Sequence, residues 1–286
     1  LGAAWVDALG PPPPGQDVRP AGGDVAAGQL VLKPGKVLRP QEIGMLAALG
    51  HLEVPVVRRP RVAILATGDE IVPPDQEPGP AQIRDANSYT VAAQVKRWGG
   101  KPMLLGVACD QEELIRCGVR EALERQADFI VTSGGVSVGD FDLVKRILTA
   151  EGEMHFWSLN MKPGRPMAFG VVDGVPLIGL PGNPVATMLN TELFVRPALL
   201  KMQGFTDWSR ATVQAYLAEP VARKDGRRHY LRVRLRETET GTEAVLTGDQ
   251  GSGILNSLVV ADGLAVLPEE ARALPRGAAV DVILLD

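Results

Sequence analysis

From Arg61 onward, short apolar runs alternate with segments whose apolar residues recur every three or four positions. "RVAILAT" (61–67), "PMLLGVA" (102–108) and "DFIVTS" (128–133) have strand length and are apolar throughout, as strands buried on both faces are. Helical patterns lie between them. "NSYTVAAQVKRWGG" predicts a helix with Asn87 as N-cap and Gly99 as its stop. "QEELIRCGVREALERQ" places Leu114, Ile115, Gly118 and Leu123 at helical spacing, with charges opposite, and "FDLVKRILTAEG" predicts a further helix. "PMAFGVVDGVPLIGL" reads as a hairpin around Asp173-Gly174. "NPVATMLNTELFVRPALLKM" reads as one long helix, capped by Asn183 and with Pro184 in its first turn.

This alternation predicts an α/β fold: a three-layer, doubly wound, mostly parallel sheet over 61–204. Upstream the pattern is different. "GPPPPGQ" is stiff and unable to join a central strand, so 1–20 reads as a remnant and linker. A small β-rich N-terminal segment is expected, with 21–60 as a linking β/α segment: short strands within "DVRPAGGDVAAGQLVLKPGKVL" and one helix in "RPQEIGMLAALG". Downstream, "YLRVRLRET", "EAVLTGDQGSG" and "GAAVDVILLD" alternate polar and apolar residues between turns. They predict an all-β domain over 205–286, a barrel or a sandwich.

Composition narrows the possible partners. The 286 residues carry a net charge of −4, which gives no reason to expect nucleic acid, so any positive site must be local. No apolar run approaches the roughly 20 residues of a membrane span. Cys109 and Cys117 read as reduced core residues of an intracellular protein, and His51, His155 and His229 lie too far apart in sequence to suggest a metal site. The chain opens on Leu1 with no signal peptide and reads as a fragment.

Ligands of open α/β sheets bind at the carboxyl ends of the strands. That rule gathers "ATGDE", "ACDQ", "TSGGVSVGD" and "GLPGNP" on one edge. Ser133-Gly134-Gly135 can aim backbone N–H groups at a phosphate; a tight turn followed by Asp140 as a helix cap accounts for the same residues. Lys162 and Arg165 flank the Pro-Gly turn of "KPGRP" and can hold an oxyanion, though a solvated loop has the same composition. Gly182 and Asn183 bend and cap a helix start, which leaves free N–H groups at a helix N-terminus; plain capping accounts for the same residues. Asp69, Glu70, Asp85 and Asp110 also belong to this edge. Carboxylates beside an anion cradle suit magnesium bridging to a phosphate.

In their order and spacing, "TSGGVSVGDFD", "MKPGRPMAFG" and "GLPGNPVAT" resemble the molybdopterin molybdenumtransferases, the MoeA and gephyrin E-domain family. "ATGDEIV", "IRDANS", "QGSGILNSL" and "ADGLAVLP" fit the same resemblance, which covers nearly the whole chain. It implies a MoaB/Mog-like central domain and an N-terminal β domain mostly lacking here. It also implies insertion of molybdenum from molybdate into adenylylated molybdopterin, with AMP release, magnesium dependence and a cytoplasmic homodimer. A molybdopterin adenylyltransferase is a further expected partner; neither nucleic acid nor membrane is.

Position by position, the resemblance implies catalytic roles for Asp110, Asp142, Glu70, Arg19 and Asp24, with Asp110 and Asp142 on the metal. Pterin and nucleotide contacts are expected from Thr67, Gly68, Asp69, Asp85, Ser133, Gly134, Gly135, Val136, Ser137, Gly139 and Asp140, and from Pro181, Gly182, Asn183 and Pro184. Molybdate contacts are expected from Lys162, Arg165, Pro166, Arg232 and Ser257. Three positions depart from the pattern. Arg165 replaces a second lysine, Ala186 a serine, and Ser158 a residue that is lysine in some members. Other readings of the same residues are an adenylyltransferase, a non-catalytic dimeric scaffold, and a molybdate sensor or store.

Overall fold

The computed structural model describes residues 10, 11, 13–134, 143–223 and 225–285. Gly135, Val136, Ser137, Gly139, Asp140 and Asp142 therefore lie outside the described residues. The chain divides into two compact units, Leu1–Pro55 and Val56–Asp286.

The first unit holds turns and one helix, α1 (Pro40–Ala48). Its start is fixed by Pro40 and by the Glu42 carboxylate, which accepts from the Arg39 backbone N–H at 2.9 Å. The strands expected within 17–38 are not formed among the described residues. The apolar run Leu30-Val31-Leu32 lies between Gly28-Gln29 and Lys33-Pro34, and a strand this short needs a partner in a larger sheet.

The second unit begins with β1 (Arg61–Thr67), the short pair β2 (Ile71–Val72) and β3 (Ile83–Arg84), α2 (Asn87–Arg97), β4 (Lys101–Ala108), α3 (Glu112–Glu124) and β5 (Phe129–Ser133). It continues through α4 (Leu143–Glu151), β6 (Gly152–Ser158), β7 (Met161–Lys162), β8 (Pro166–Val172), β9 (Val175–Leu180), α5 (Pro184–Asn190) and α6 (Arg196–Met202). The main sheet runs β4-β1-β5-β9-β8-β6, with the first four strands parallel and β8 antiparallel to both neighbours. Its two faces bury different helices. Val91 and Val95 of α2 and Leu199 of α6 pack on Val62, Ile64 and Val131. Val119 and Ala122 of α3 and Val144 and Leu148 of α4 pack on Ala63, Ile130 and Leu177. The β8–β9 hairpin turns at Asp173 and Gly174, both with positive φ (48° and 75°), as a two-residue primed turn requires.

Three sequence expectations are corrected here. The long helix after Asn183 is broken by a π turn at Thr191–Val195. Pro197 has no N–H and its ring crowds the carbonyl four residues back, so regular hydrogen bonding cannot run through that stretch. The run "EGEMHFWS" contributes β6, an edge strand pairing with β8, where only helix and loop were expected. Cys109 and Cys117 are free, but both are exposed rather than in the core.

The remaining strands are β10 (Thr212–Leu217), β11 (Val221–Ala222), β12 (Arg228–Thr238), β13 (Gly241–Leu246), β14 (Gly263–Leu267), β15 (Ala273–Leu274) and β16 (Ala279–Leu284), with the short helix α7 (Asn256–Val259) before β14. The order β13-β10-β16-β14-β12 closes on itself through β12–β13, making a five-stranded barrel around Ala215, Leu217, Val233, Ala265 and Val282. The strand β7, from within the α/β segment, pairs parallel with β12, placing Met161 opposite Arg228 and Lys162 opposite His229. That short ladder ties the "KPGRP" loop to the barrel.

Candidate functional site

Parallel register brings the carboxyl ends of four strands level. Thr67 pairs with Ala108, Ala66 with Ser133, and Ser133 with Leu180. The predicted gathering of loops on one edge is therefore present for "ATGDE", "ACDQ", "GLPGNP" and the start of "TSGG". The loops are bonded to one another. The Gly134 N–H donates to the Leu180 carbonyl at 3.0 Å, and the Gly68 N–H to the Ala108 carbonyl at 3.2 Å. Gly134 has φ +96°, and a Cβ there would overlap the Thr67 carbonyl oxygen.

Asn87 is not the cap that the sequence suggested. Asp85, buried at this turn, accepts from the Ser88 N–H at 3.0 Å and so supplies the cap. This frees the Asn87 amide, which donates to Ser133 Oγ at 2.8 Å and to the Gly182 carbonyl at 2.7 Å. Asn87 thus ties the ends of β5 and β9 together, and only its removal from the capping position could have revealed this. Asn183 occupies the N-cap position of α5, but its side chain makes no capping bond. The Pro181 carbonyl accepts from Thr187 Oγ1 at 2.5 Å, which fixes the turn before Pro184.

The β4–β1 end of the edge is acidic. The Asp110 N–H donates to Asp69 Oδ1 at 3.0 Å. Burial, and then the charges of Asp69 and Glu70, push the Asp110 carboxyl above its ordinary value. The Glu70 carboxylate folds back against Gly68, where a Cβ would have to displace it at a φ of +141° that side chains rarely adopt. Among the described residues no three metal-ligating side chains converge on one point. Arg19 and Asp24 are exposed in the first unit.

The barrel end is cationic. A cavity of about 420 Å³ is lined by Lys162, Arg165, Pro181, Asn183, Ala186 and Arg227, with Pro166 and Gln250 among its other walls. Arg227 was not anticipated; nothing in "DGRRHY" separates it from a surface arginine. The "KPGRP" turn is held from below by Asn190, whose buried amide donates to the Gly164 carbonyl at 3.1 Å. A larger cavity of about 720 Å³ adjoins it, sharing Lys162, Pro163, Gln250 and Gly251 and adding Asp225, His229 and Arg232.

Arg232 and Ser257 are brought together by a direct hydrogen bond. Arg232 is 1% exposed; its Nε donates to Ser257 Oγ at 3.0 Å and its Nη2 to the Gly251 carbonyl at 3.0 Å. Gln250 closes the arrangement, accepting from the Arg232 N–H at 2.8 Å. Burial pushes the guanidinium below its ordinary value, with Asp249 opposing. Arg232 therefore shapes the loop that walls both cavities. Ser158, one of the departing positions, is exposed at the end of β6.

Residues 63–201 match the family model described as a probable molybdopterin binding domain. Residues 3–50 match the MoeA N-terminal region (domains I and II), and 214–285 the MoeA C-terminal region (domain IV). The chain is 34% identical over 278 residues to a molybdopterin molybdenumtransferase of Haemophilus influenzae, covering 95% of this chain and 67% of that one. It is 33% identical over 269 residues to a Staphylococcus aureus protein of the same name, covering 93% and 63%. A crystal structure of a molybdopterin biosynthesis MoeA protein from Pyrococcus horikosii superimposes with a TM-score of 0.80 at 34% identity, covering 92% of this chain and 64% of that one. A molybdenum cofactor biosynthesis protein from Pyrococcus furiosus does so with a TM-score of 0.68 at 32% identity. The chain thus spans about two thirds of the length of the two curated relatives and of the Pyrococcus horikosii protein, and 82% of the Pyrococcus furiosus one.

Proposed function

The chain belongs to the molybdopterin molybdenumtransferase family of molybdenum cofactor biosynthesis, and we propose that its strand edge and barrel corner transfer molybdenum from molybdate into adenylylated molybdopterin, releasing AMP. The observation that carries this reading is the cationic cavity beside the strand ends. Lys162, Arg165 and Arg227 line it together, and it opens between the pterin-side turn Pro181–Asn183 and the barrel. A tetrahedral oxyanion suits such a group, with the guanidinium groups offering forked donors and the lysine a point charge. Ala186 presents only a methyl to this cavity, so the arginines replace the hydroxyl donor expected there.

The pterin and nucleotide side of the reading lies along Thr67, Ser133, Gly134 and Gly182. Asn87 orders the backbone there and Gly134 lets it approach a ligand closely. Asp110 stands at the far end. Its raised carboxyl, crowded by Asp69 and Glu70, fits a hard cation bound through one or two carboxylates with retained waters, as magnesium prefers. Asp142 joins that set on sequence grounds. When bound, the cation supplies neutralising charge to the phosphoryl oxygens. The chain's own contribution is to hold the two substrates at fixed places along one edge. The reading includes a cytoplasmic homodimer and a division of labour between 61–204 and 205–286.

The test is turnover with adenylylated molybdopterin, molybdate and magnesium, following AMP and pterin-bound molybdenum. Lys162→Ala should raise the KM for molybdate about tenfold, the effect of losing one charge-assisted contact, and leave the KM for the pterin nearly unchanged. Adenylylation of molybdopterin from ATP would instead favour the adenylyltransferase reading. An unchanged KM for molybdate in Lys162→Ala would remove this lysine from the oxyanion site.

A further inference from the structure

The ladder between β7 and β12 puts His229 opposite Lys162. Asp225, in the turn that leads into β12, reaches both side chains. Its Oδ1 lies 2.5 Å from His229 Nε2, and its Oδ2 lies 3.7 Å from Lys162 Nζ. One carboxylate thus serves a buried imidazole through one oxygen and an exposed ammonium through the other. The His229 side chain is 8% exposed, that of Asp225 28% and that of Lys162 56%. The ammonium is therefore the member that can move. All three line the larger cavity, next to the loop that walls the oxyanion cavity.

We propose that Asp225 and His229 are positioning residues for Lys162: the shared carboxylate holds the ammonium at the mouth of the oxyanion cavity, and the state of the His229 ring sets how firmly. The inference rests on Lys162 being the oxyanion-binding lysine. With a neutral ring, Asp225 keeps its full negative charge and retains Lys162. A protonated ring neutralises that charge at hydrogen-bond range. The ammonium then faces a second cation as well as Arg223 and Arg227, the other charged groups around the pair, and is released toward an incoming oxyanion.

Burial is the largest influence on His229 and lowers its proton affinity below that of an ordinary histidine, with Asp225 opposing and Arg223 and Lys162 adding to the lowering. Burial also acts to raise Asp225, but His229, Lys162 and Arg227 outweigh it, so the carboxyl lies below its ordinary value. Asp225, held below its ordinary value, is therefore ionised at neutral and mildly acidic pH. The retained arrangement is the one at neutral pH, and release follows acidification through a range below the usual histidine value.

Two measurements on the whole chain test this. The first needs no ligand: the Lys162 side-chain signal in isotope-labelled protein, assigned by its loss in Lys162→Arg, is followed against pH. It should move with the titration of His229, stay still in His229→Gln and Asp225→Asn, and regain part of its movement in Asp225→Glu. The second is calorimetric binding of molybdate. Affinity should rise about threefold on acidification in the wild type, the scale of one exposed ion pair, and be flat with pH in His229→Gln. In turnover, Asp225→Asn should lower the KM for molybdate and kcat together, because the lysine is freed but misplaced. A purely structural pair would leave the Lys162 signal indifferent to pH and to Asp225→Asn, and that result overturns the proposal. A Lys162 signal that follows His229 while molybdate fails to bind keeps the pair and discards the molybdate reading.

Discussion

At the β4–β1 end of the strand edge the charges are negative, exposed and carried by loops: Asp69, Glu70 and Asp110. At the barrel end Lys162, Arg165 and Arg227 are positive, with Asp225 paired to the first, and their loops are anchored. The "KPGRP" turn is bonded to Asn190 below it and to β12 beside it, and the 249–251 loop hangs on a buried arginine. From β4 to β9 the sheet spans three strand spacings, about 14 Å. The opposed charges are therefore not one ion-pair network but two fields separated by more than a Debye length at physiological salt. A ligand with a phosphate at one end and a group awaiting an oxyanion at the other would lie along this separation. The difference teaches that, among the described residues, the two ends of the edge differ in charge, with the amide of Asn87, the hydroxyl of Ser133, Gly134 and Gly182 between them and Asp85 turned into the cap of α2.

The largest effect should come from that middle stretch. Gly134→Ala places a Cβ against the Thr67 carbonyl at a φ that side chains resist. Backbone strain and overlap together should cost about 4 kcal/mol. Urea unfolding would measure it. A loss below about 1 kcal/mol would show that the middle yields, and that the two ends are not held at a fixed spacing.

A smaller effect is expected at the barrel end. Arg232→Met keeps the apolar stem but strands Ser257 and the carbonyls of Asp249 and Gly251. Unfolding should register a loss of about 2 to 3 kcal/mol, and the KM for molybdate should rise as the 249–251 loop loosens. The KM for magnesium should not change, since the acidic end lies across the sheet. A change there of similar size would break the separation of the two ends.

How much of this was legible in the sequence depends on what kind of contact each residue makes. Patterns local to one element read well. The buried run of β1, the Asp173-Gly174 turn and the alternation of β16 each carry their signal in consecutive residues. Roles set by distant partners read badly. Asn87 looks like a cap until Asp85, two residues earlier, takes that task and leaves its amide for residues 46 and 95 positions away. Arg232 is expected on the oxyanion by resemblance, and the sequence does not show the Ser257 hydroxyl and the carbonyls of Asp249 and Gly251 that it also holds. The chain segment Met161–Lys162 reads as loop, and only β12, supplied from more than sixty residues downstream, makes it a strand. The strands expected within 17–38 failed for the converse reason: the apolar residues are there, and among the described residues no partner strand is.

The smallest effect concerns Asp110, and its sign separates charge crowding from structural need. Burial and two neighbouring carboxylates make the folded protein hold the Asp110 proton more tightly than the unfolded chain does. Folding therefore carries a cost wherever this group must be ionised, above its raised value. The cost fades as pH falls through that value and is gone below the unfolded one, where both states are protonated. Asp110→Asn removes the charge, so it should stabilise slightly at neutral pH. The gain should be under about 1 kcal/mol because the group is largely solvated, and it should vanish in acid. Thermal unfolding of the variant and the wild type at neutral and acidic pH measures both halves. The same variant should lose magnesium-dependent AMP release while gaining stability. That opposition is expected where like charges are kept together for a cation. A variant that is less stable at neutral pH would instead make Asp110 a structural residue of the β4 turn and leave the acidic end without its proposed use.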